Sequence, residues 1–405
     1  MNPDSDKTGP LAGIRILDCT IWQNGPCATV ILSDLGADVI KIEDPKSGDP
    51  GRGLIPSGSQ TDISGYFEAV NRNKRSLMLD LKTAEGRDIF YRLAAQADVV
   101  VQNFRVGVVE KLKISYADLQ PLNPKLIYAS ATGFGRLGPD ARMGVFDVLG
   151  QARSGAMVAL ETSGGDYAYN NAFGLADQCG GMVLAQAITT ALYSRERTGE
   201  GQEVEVSQLG AMLLLQQMGL TQWLLNRAAP DPKKRDVPRN PLFTTYQCAN
   251  NGWFAVGGLQ SDRYWKDFCE ILGVPDLAAD PRYATLIDRR DRAAELVRIF
   301  DSACIKFARS DLLKRLAAAG IPCAPINTYE DLESDEQVLA NDYIVEIDHP
   351  SRGKIKAVDT PMRFSRTPAG PRACAPEMGQ HTEEVLLELG LSWDEITALH
   401  EKNVL

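Results

Sequence analysis

Histidine is scarce in this chain: three among 405 residues, at His349, His381 and His400. A histidine-rich metal site is implausible on that count, and a histidine-based triad is not expected. The eight cysteines (19, 27, 179, 248, 269, 304, 323 and 374) are scattered and never fall at CxxC spacing. They read as reduced, partly buried thiols. No apolar run reaches membrane-spanning length, and nothing at the N-terminus resembles a signal peptide, so the cytoplasm is the expected location. Basic residues are outnumbered, 43 Lys and Arg against 53 Asp and Glu, for a net charge of −10. That balance argues against a nucleic-acid partner and suits an acidic enzyme. No GxGxxG follows the first expected strand, which disfavours a Rossmann dinucleotide site. GxxxxGK followed by Ser or Thr is also missing, so a P-loop is absent.

What the first half does carry is alternation. Ile14-Arg15-Ile16-Leu17-Asp18 reads as a short buried strand. Gly25-Pro26 stops it and places a proline at a helix start. Ala28 to Leu35 has helical spacing and ends at Gly36; Val39-Ile40-Lys41-Ile42 follows as a second strand. The pattern repeats with a helix over Ala84 to Ala95 and strands at Asp98 to Val101 and Leu126 to Ala129. A long helix, Gly180 to Arg195, then precedes the alternating strand Glu203 to Ser207. Such βαβ order predicts an α/β fold with an open, mostly parallel, Rossmann-like sheet. Its ligands are expected beyond the carboxyl ends of the strands.

At this length two domains are expected. The large α/β domain takes residues 10–207, with a linker at 208–230. A smaller α+β domain takes 231–325, with a second linker at 326–345. Residues 346–405 return to the large domain. Within the small domain, the stretch from Gly252 to Gly258 reads as a strand ending in a glycine turn. Helices are expected at Asp262 to Leu272, Arg289 to Phe307 and Asp311 to Ala319.

Asp177 stands out in Gly174-Leu175-Ala176-Asp177-Gln178-Cys179-Gly180-Gly181. A carboxylate at the mouth of a helix meets unpaired N–H groups and the positive end of the dipole. It is expected to be ionised there and able to act as a nucleophile. An ordinary helix N-cap explains the same residue, and by itself explains it better. Three polar clusters fall in expected strand-end loops. They are Ile21 to Pro26, which includes Trp22 and Gln23, then Asn71 to Ser76, and Val101 to Arg105. Asn73, Lys74 and Arg75 suit phosphate groups, while Asn103 and Phe104 offer an amide and an aromatic face. Each alone reads as a solvated loop; together they point to a nucleotide-like ligand.

These residues resemble the class III CoA-transferases, the CaiB/BaiF-like family of formyl-CoA transferase and the carnitine CoA-transferases. Leu11 to Asp18, Gly25-Pro26 and Leu35 to Glu43 carry the N-terminal signature. Asn71 to Ser76, Asn103-Phe104, Arg195 to Gln202 and Gly379 to Thr382 match in the same order, over nearly the whole chain.

The resemblance implies that Asp177 attacks an acyl-CoA thioester, passing through an aspartyl anhydride and an aspartyl-CoA thioester. Gln23 matches an active-site Gln. Backbone N–H groups of Gly180 and Gly181, or of Gly257 and Gly258, are the expected oxyanion donors. Asn73, Lys74, Arg75, Asn103, Phe104, Arg105 and Lys111 are the expected CoA contacts, Lys111 standing where formyl-CoA transferase has an Arg. Trp22, Phe146, Met157 and the turn 257–260 would line the acyl pocket. CoA and acyl-CoA are substrates on this reading; no permanently bound cofactor or metal is expected.

Asp44 replaces an Arg of formyl-CoA transferase, and the glycine-rich catalytic loop is reduced to Gly257-Gly258-Leu259-Gln260, so oxalate is not implied as a substrate. An alternative is a 2-methylacyl-CoA racemase, but the His that such enzymes carry before the Asp matching Asp147 is Phe146 here. A phenyl ring carries no proton. A catalytically silent subunit of a heteromeric transferase is a further alternative. The resemblance also implies an interlocked homodimer.

Overall fold

The computed structural model describes residues 8–57, 59, 61–160, 167, 173–228 and 235–405. These fall into two compact units, one holding the described residues up to 228 and 342–405, the other 235–341.

The first unit is built on six parallel strands: β1 Arg15–Cys19, β2 Asp38–Glu43, β3 Arg75–Met78, β4 Val99–Gln102, β5 Ile127–Thr132 and β6 Glu203–Ser207. They lie in the order β3-β2-β1-β4-β5-β6. Every pair in the sheet is parallel, with Ile16 beside Val39 on one side and Val99 on the other. Ile16, Leu17, Val39, Ile40 and Val99 to Val101 are buried on both faces, which is why β1, β2 and β4 read as short continuous apolar runs.

One face packs Leu17, Ile40, Val100 and Tyr128 against the helix Ala84–Ala94 and the C-terminal helices Thr382–Glu388 and Trp393–Glu401. On the other face, Ile16, Val39, Val101 and Ala129 meet Ala28 and Leu32 of the helix Asn24–Asp34, with Leu184 and Ile188 of the helix Leu175–Thr198. The last 64 residues therefore return to the first unit, where β10 Ile344–His349 and β11 Gly353–Val358 also form an antiparallel hairpin.

In the second unit, β7 Phe243–Gln247, β8 Trp253–Gly257 and β9 Cys323–Pro325 make an antiparallel sheet. Its core is aromatic: Tyr246, Phe254, Phe268 and Phe300 are fully buried beneath helices of the same unit. The helix expected over Arg289 to Phe307 is two, Leu286–Asp291 and Ala293–Cys304, because Arg292 between them leaves helical geometry at φ −117°, ψ 24°.

Residues 208–228 belong to the first unit and are not a bare linker. They form the helices Gln208–Leu215 and Gln217–Asn226, the first anchored by buried Ala211 and Met212. Strand β3 lies within and beyond the segment expected to be a polar loop, since Ser76 and Leu77 pair with Lys41 and Ile42.

Candidate active site

In a doubly wound sheet the ligand crevice opens where strand order reverses, here between β1 and β4. A cavity of about 300 Å³ lies there. Its lining comes from Ile21, Trp22 and Asn24 after β1, and from Asn103 to Val106 with Val108 after β4. Ala131 to Gly133 at the end of β5 and a wall of Ala141 and Met143 to Phe146 complete it, and Asp177 and Gln208 also face it.

The loop after β1 is fixed from below by buried charge. Asp18 accepts Lys74 Nζ at 2.9 Å, Thr29 Oγ1 at 2.7 Å and Thr20 Oγ1 at 2.5 Å. Lys41 Nζ donates to Thr20 O at 2.8 Å and pairs with Asp49 at 2.8 Å. Asp49 in turn accepts the N–H of Trp22 at 3.2 Å. From the side, Asn103 grips Ile21 twice, accepting its N–H at 3.0 Å and donating to its carbonyl at 2.7 Å. These contacts hold Trp22 in the left-handed region at φ 65°, an uncommon conformation for a bulky residue.

Asp177 is not the cap of its helix. The helix Leu175–Thr198 begins a turn and a half before the expected Gly180, and its N-cap is Gly174, at φ 62°. The capping carboxylate comes from elsewhere: Asp147 Oδ1 accepts the N–H groups of Ala176 at 2.5 Å and Asp177 at 3.0 Å. Gln151 holds the other oxygen of Asp147 at 2.6 Å. With the N–H groups at the helix start served by Asp147, the Asp177 side chain is released toward the cavity.

Its hydrogen-bond partner is Gln208 Nε2. Asn24 lies close enough to act on the carboxyl, yet its buried Nδ2 has no well-formed hydrogen bond. Gln208 Oε1 is likewise buried without a partner among the described residues. Burial and then the neighbouring Asp147 charge push the Asp177 carboxyl up to about 7, while Gln208 and Asn24 pull the other way. The expected fully ionised carboxylate is thus corrected: at neutral pH Asp177 is poised between its two forms. Such a desolvated, basic carboxylate is a stronger nucleophile and proton acceptor than one in water.

The paired glycines have a different duty from the expected one. They are the sixth and seventh residues of the helix, where N–H groups are committed to the carbonyl four residues back, so they are not oxyanion donors. Their lack of a side chain lets two helices touch. A methyl group at Gly180 would lie 2.5 Å from Asn24 Nδ2, and one at Gly181 2.6 Å from Cys27 Cβ. Gly257 and Gly258, in the second unit, also have occupied N–H groups, donating to Pro322 O at 2.8 Å and Leu242 O at 2.7 Å.

Gln23 donates to Phe173 O at 2.9 Å and abuts Gly174, which supports the turn into the Asp177 helix. Asn103, Phe104 and Arg105 all line the cavity. Arg105 packs over Gly144, and its guanidinium has no hydrogen bond or ion pair among the described residues. Lys111 is exposed on the short helix Val108–Leu112.

The cluster Asn73 to Arg75 is spent on internal contacts. Asn73 bonds Asp34 and the backbone at Gly370, Arg372 and Ala373. Lys74 is buried on Asp18, and Arg75 pairs with Asp38, Glu384 and Glu388. Asp44 pairs with Lys82 at 2.7 Å. Met157 is not among the residues lining the cavity. Sequence reasoning placed Asn24 in the polar cluster after β1 without giving it a role, and missed Gln208; a polar Gln opening the run Leu209 to Leu215 was the available signal for the latter.

A doubly wound crevice faced by a carboxyl of raised pKa is the candidate active site of an α/β enzyme. The chain belongs to CoA-transferase family III, whose model matches residues 11–382. It is 34% identical over 415 residues to the formyl-CoA:oxalate CoA-transferase of Streptomyces avermitilis, covering 98% of this chain and 100% of that protein. It is also 34% identical over 392 residues to the succinate–glutarate CoA-transferase of Agrobacterium fabrum, covering 95% and 96%. A solved CaiB/BaiF family structure from Brucella suis superimposes with a TM-score of 0.85 at 31% identity, covering 94% of this chain and all of that one. The protein is a class III CoA-transferase. No helix among the described residues is long and apolar enough to cross a membrane.

Proposed function

We propose that this enzyme carries CoA from an acyl-CoA donor to a carboxylic acid, with Asp177 as the covalent relay. The ionised carboxylate attacks the thioester carbonyl, forming an aspartyl-acyl anhydride and releasing CoA thiolate. The thiolate attacks the Asp177 carbonyl, forming an aspartyl-CoA thioester and expelling the donor acid. The acceptor carboxylate attacks this thioester, releasing thiolate again, and the thiolate takes the new acyl group from the second anhydride. Asp177 is regenerated and no proton is gained or lost overall. The observation that carries this reading is one carboxyl, raised to about 7, facing the cavity at the strand-order reversal.

Oxyanion stabilisation falls to Asn24 Nδ2 and Gln208 Nε2, the amide donors beside Asp177. Gln23 acts as a positioning residue through Phe173. Phe104 offers its ring to CoA, Arg105 and Lys111 offer unpaired cations to its phosphates, and Asn103 shapes the loop they face. The reading extends to a homodimer in the cytoplasm. The helix Gln217–Asn226 buries none of its residues and exposes Met218, Trp223, Leu224 and Leu225, which favours a protein partner. All eight cysteines are free, as suits a reducing compartment.

The test is to incubate the protein with a panel of acyl-CoAs, quench with hydroxylamine, and map the modified peptide by mass spectrometry. A hydroxamate on Asp177, absent in Asp177→Ala, is expected. Label on another residue, or turnover surviving in Asp177→Ala, would sink the mechanism. An unlabelled chain that exchanges the α-proton of a 2-methylacyl-CoA would point to racemase chemistry.

A further inference from the structure

We propose that the acyl group carried by this enzyme is apolar, branched or aromatic, and that Trp22 and Phe146 select it. This rests on the CoA-transfer reading above. The two rings meet edge to face, centroids 5.9 Å apart at 84°, and both line the cavity that Asp177 faces. Each is tied by the backbone to a residue beside the nucleophile. Trp22 stands two positions before Asn24, which acts on the Asp177 carboxyl, and Phe146 immediately precedes Asp147, which holds the Asp177 N–H. An acyl group whose carbonyl reaches Asp177 therefore has these rings within its surroundings.

Phe146 is 55% exposed and Met143 52%, a patch of apolar surface turned into a polar-floored cavity. Covering it with an apolar group removes that surface from water. Trp22 is kept at its left-handed φ by Asp49 and by the Asn103 grip on Ile21, so the fold maintains a strained aromatic at this place.

Charge argues in the same direction. Among the described residues that line the cavity, Arg105 is the sole cation, and it sits on the arm after β4 assigned above to CoA. Asp177 is a carboxyl, with Asp147 behind it. An acyl chain ending in a second carboxylate would bring another negative charge toward Asp177 and Asp147, while Arg105, the one cation of the described lining, is engaged by CoA on this reading.

The experiment compares kcat/KM for isobutyryl-CoA, benzoyl-CoA, acetyl-CoA and succinyl-CoA with one acceptor acid, following the Asp177 adduct in each case. Isobutyryl-CoA or benzoyl-CoA is expected to exceed succinyl-CoA by at least about tenfold. Phe146→Ala, and Trp22→Gly, which suits the left-handed backbone, should each reduce the preferred donor by about tenfold and acetyl-CoA far less. Phe146→Arg should raise the succinyl-CoA rate relative to the others. If succinyl-CoA labels Asp177 and turns over as well as the apolar donors, this inference fails and the transfer mechanism stands. Equal losses for every donor in Phe146→Ala and Trp22→Gly would also overturn it. No adduct on Asp177 with any donor would overturn both.

Discussion

Two carboxylates of the first unit, Asp18 and Asp177, start from the same ordinary pKa of 3.8 and end on opposite sides of it. Burial raises both. At Asp18, in the ion network beneath the β1 loop, Lys74 and Lys41 outweigh burial and hold the carboxyl ionised, well below the usual range. Lys74 is itself brought down to about 8, by burial above all, and still carries charge at neutral pH. At Asp177 the charge acting among the described residues is another carboxylate, Asp147, and the help comes from neutral amides. Burial is common to the two places; the sign of the neighbouring charge separates a carboxyl held ionised from one poised between its two forms.

The sharpest way to break this comparison is to neutralise Asp177. Asp177→Asn should lower turnover by roughly 10⁴-fold, yet make the fold more stable at pH 8. The folded-state pKa is raised to about 7, so this group favours the fold below 3.8 and that contribution is lost as pH rises through 7. Removing the charge should therefore raise Tm by about 2 °C at pH 8 and leave it unchanged near pH 3, as thermal melts at both values would show.

Lys74→Met should do the reverse in kind, costing about 3–5 kcal/mol of stability, because Asp18 loses its closest cation. Urea unfolding reads that loss; a cost below about 1 kcal/mol, the value of an exposed pair, would remove Asp18 from the role of strut. A smaller effect is expected at the amides: Asn24→Ala and Gln208→Ala should each lower kcat by about 10² with KM little changed. A rise in KM alone would assign them to binding. The mildest change is Asp147→Asn. Its amide oxygen can still cap the helix, but the repulsion is gone, so the acid limb of kcat/KM, expected near 7 in the native enzyme, should move to lower pH. An unmoved limb would mean that burial alone raises Asp177.

Much of the frame was legible in the chain. Strands β1, β2, β4 and β5 announced themselves as apolar runs because a parallel sheet is buried on both faces, and Glu203–Ser207 fell where its alternation placed it. Strand β3 did not, since Asn71 to Ser76 looks like a loop until Arg75 and Ser76 pair with Ile40 and Lys41. Asp177 and the Asn103-Phe104-Arg105 arm were legible as polar residues at strand and helix ends. Asn73, Lys74 and Arg75 were misleading for the same reason: composition marks a basic loop but carries no record of Asp34, Asp18 and Asp38 waiting to receive it.

The sequence by itself determined the α/β class, the family, and that Asp177 is the carboxyl to watch, because periodicity and ordered motifs are properties of neighbours along the chain. Only the tertiary structure decided what kind of carboxyl it is. Asp147, thirty residues earlier, caps the helix in its place, Gln208, thirty-one residues later, binds it, and Asn24 reaches it from another helix. A pKa depends on charge and solvent within a few ångströms, and those distances are fixed by packing between elements, not by position along the chain.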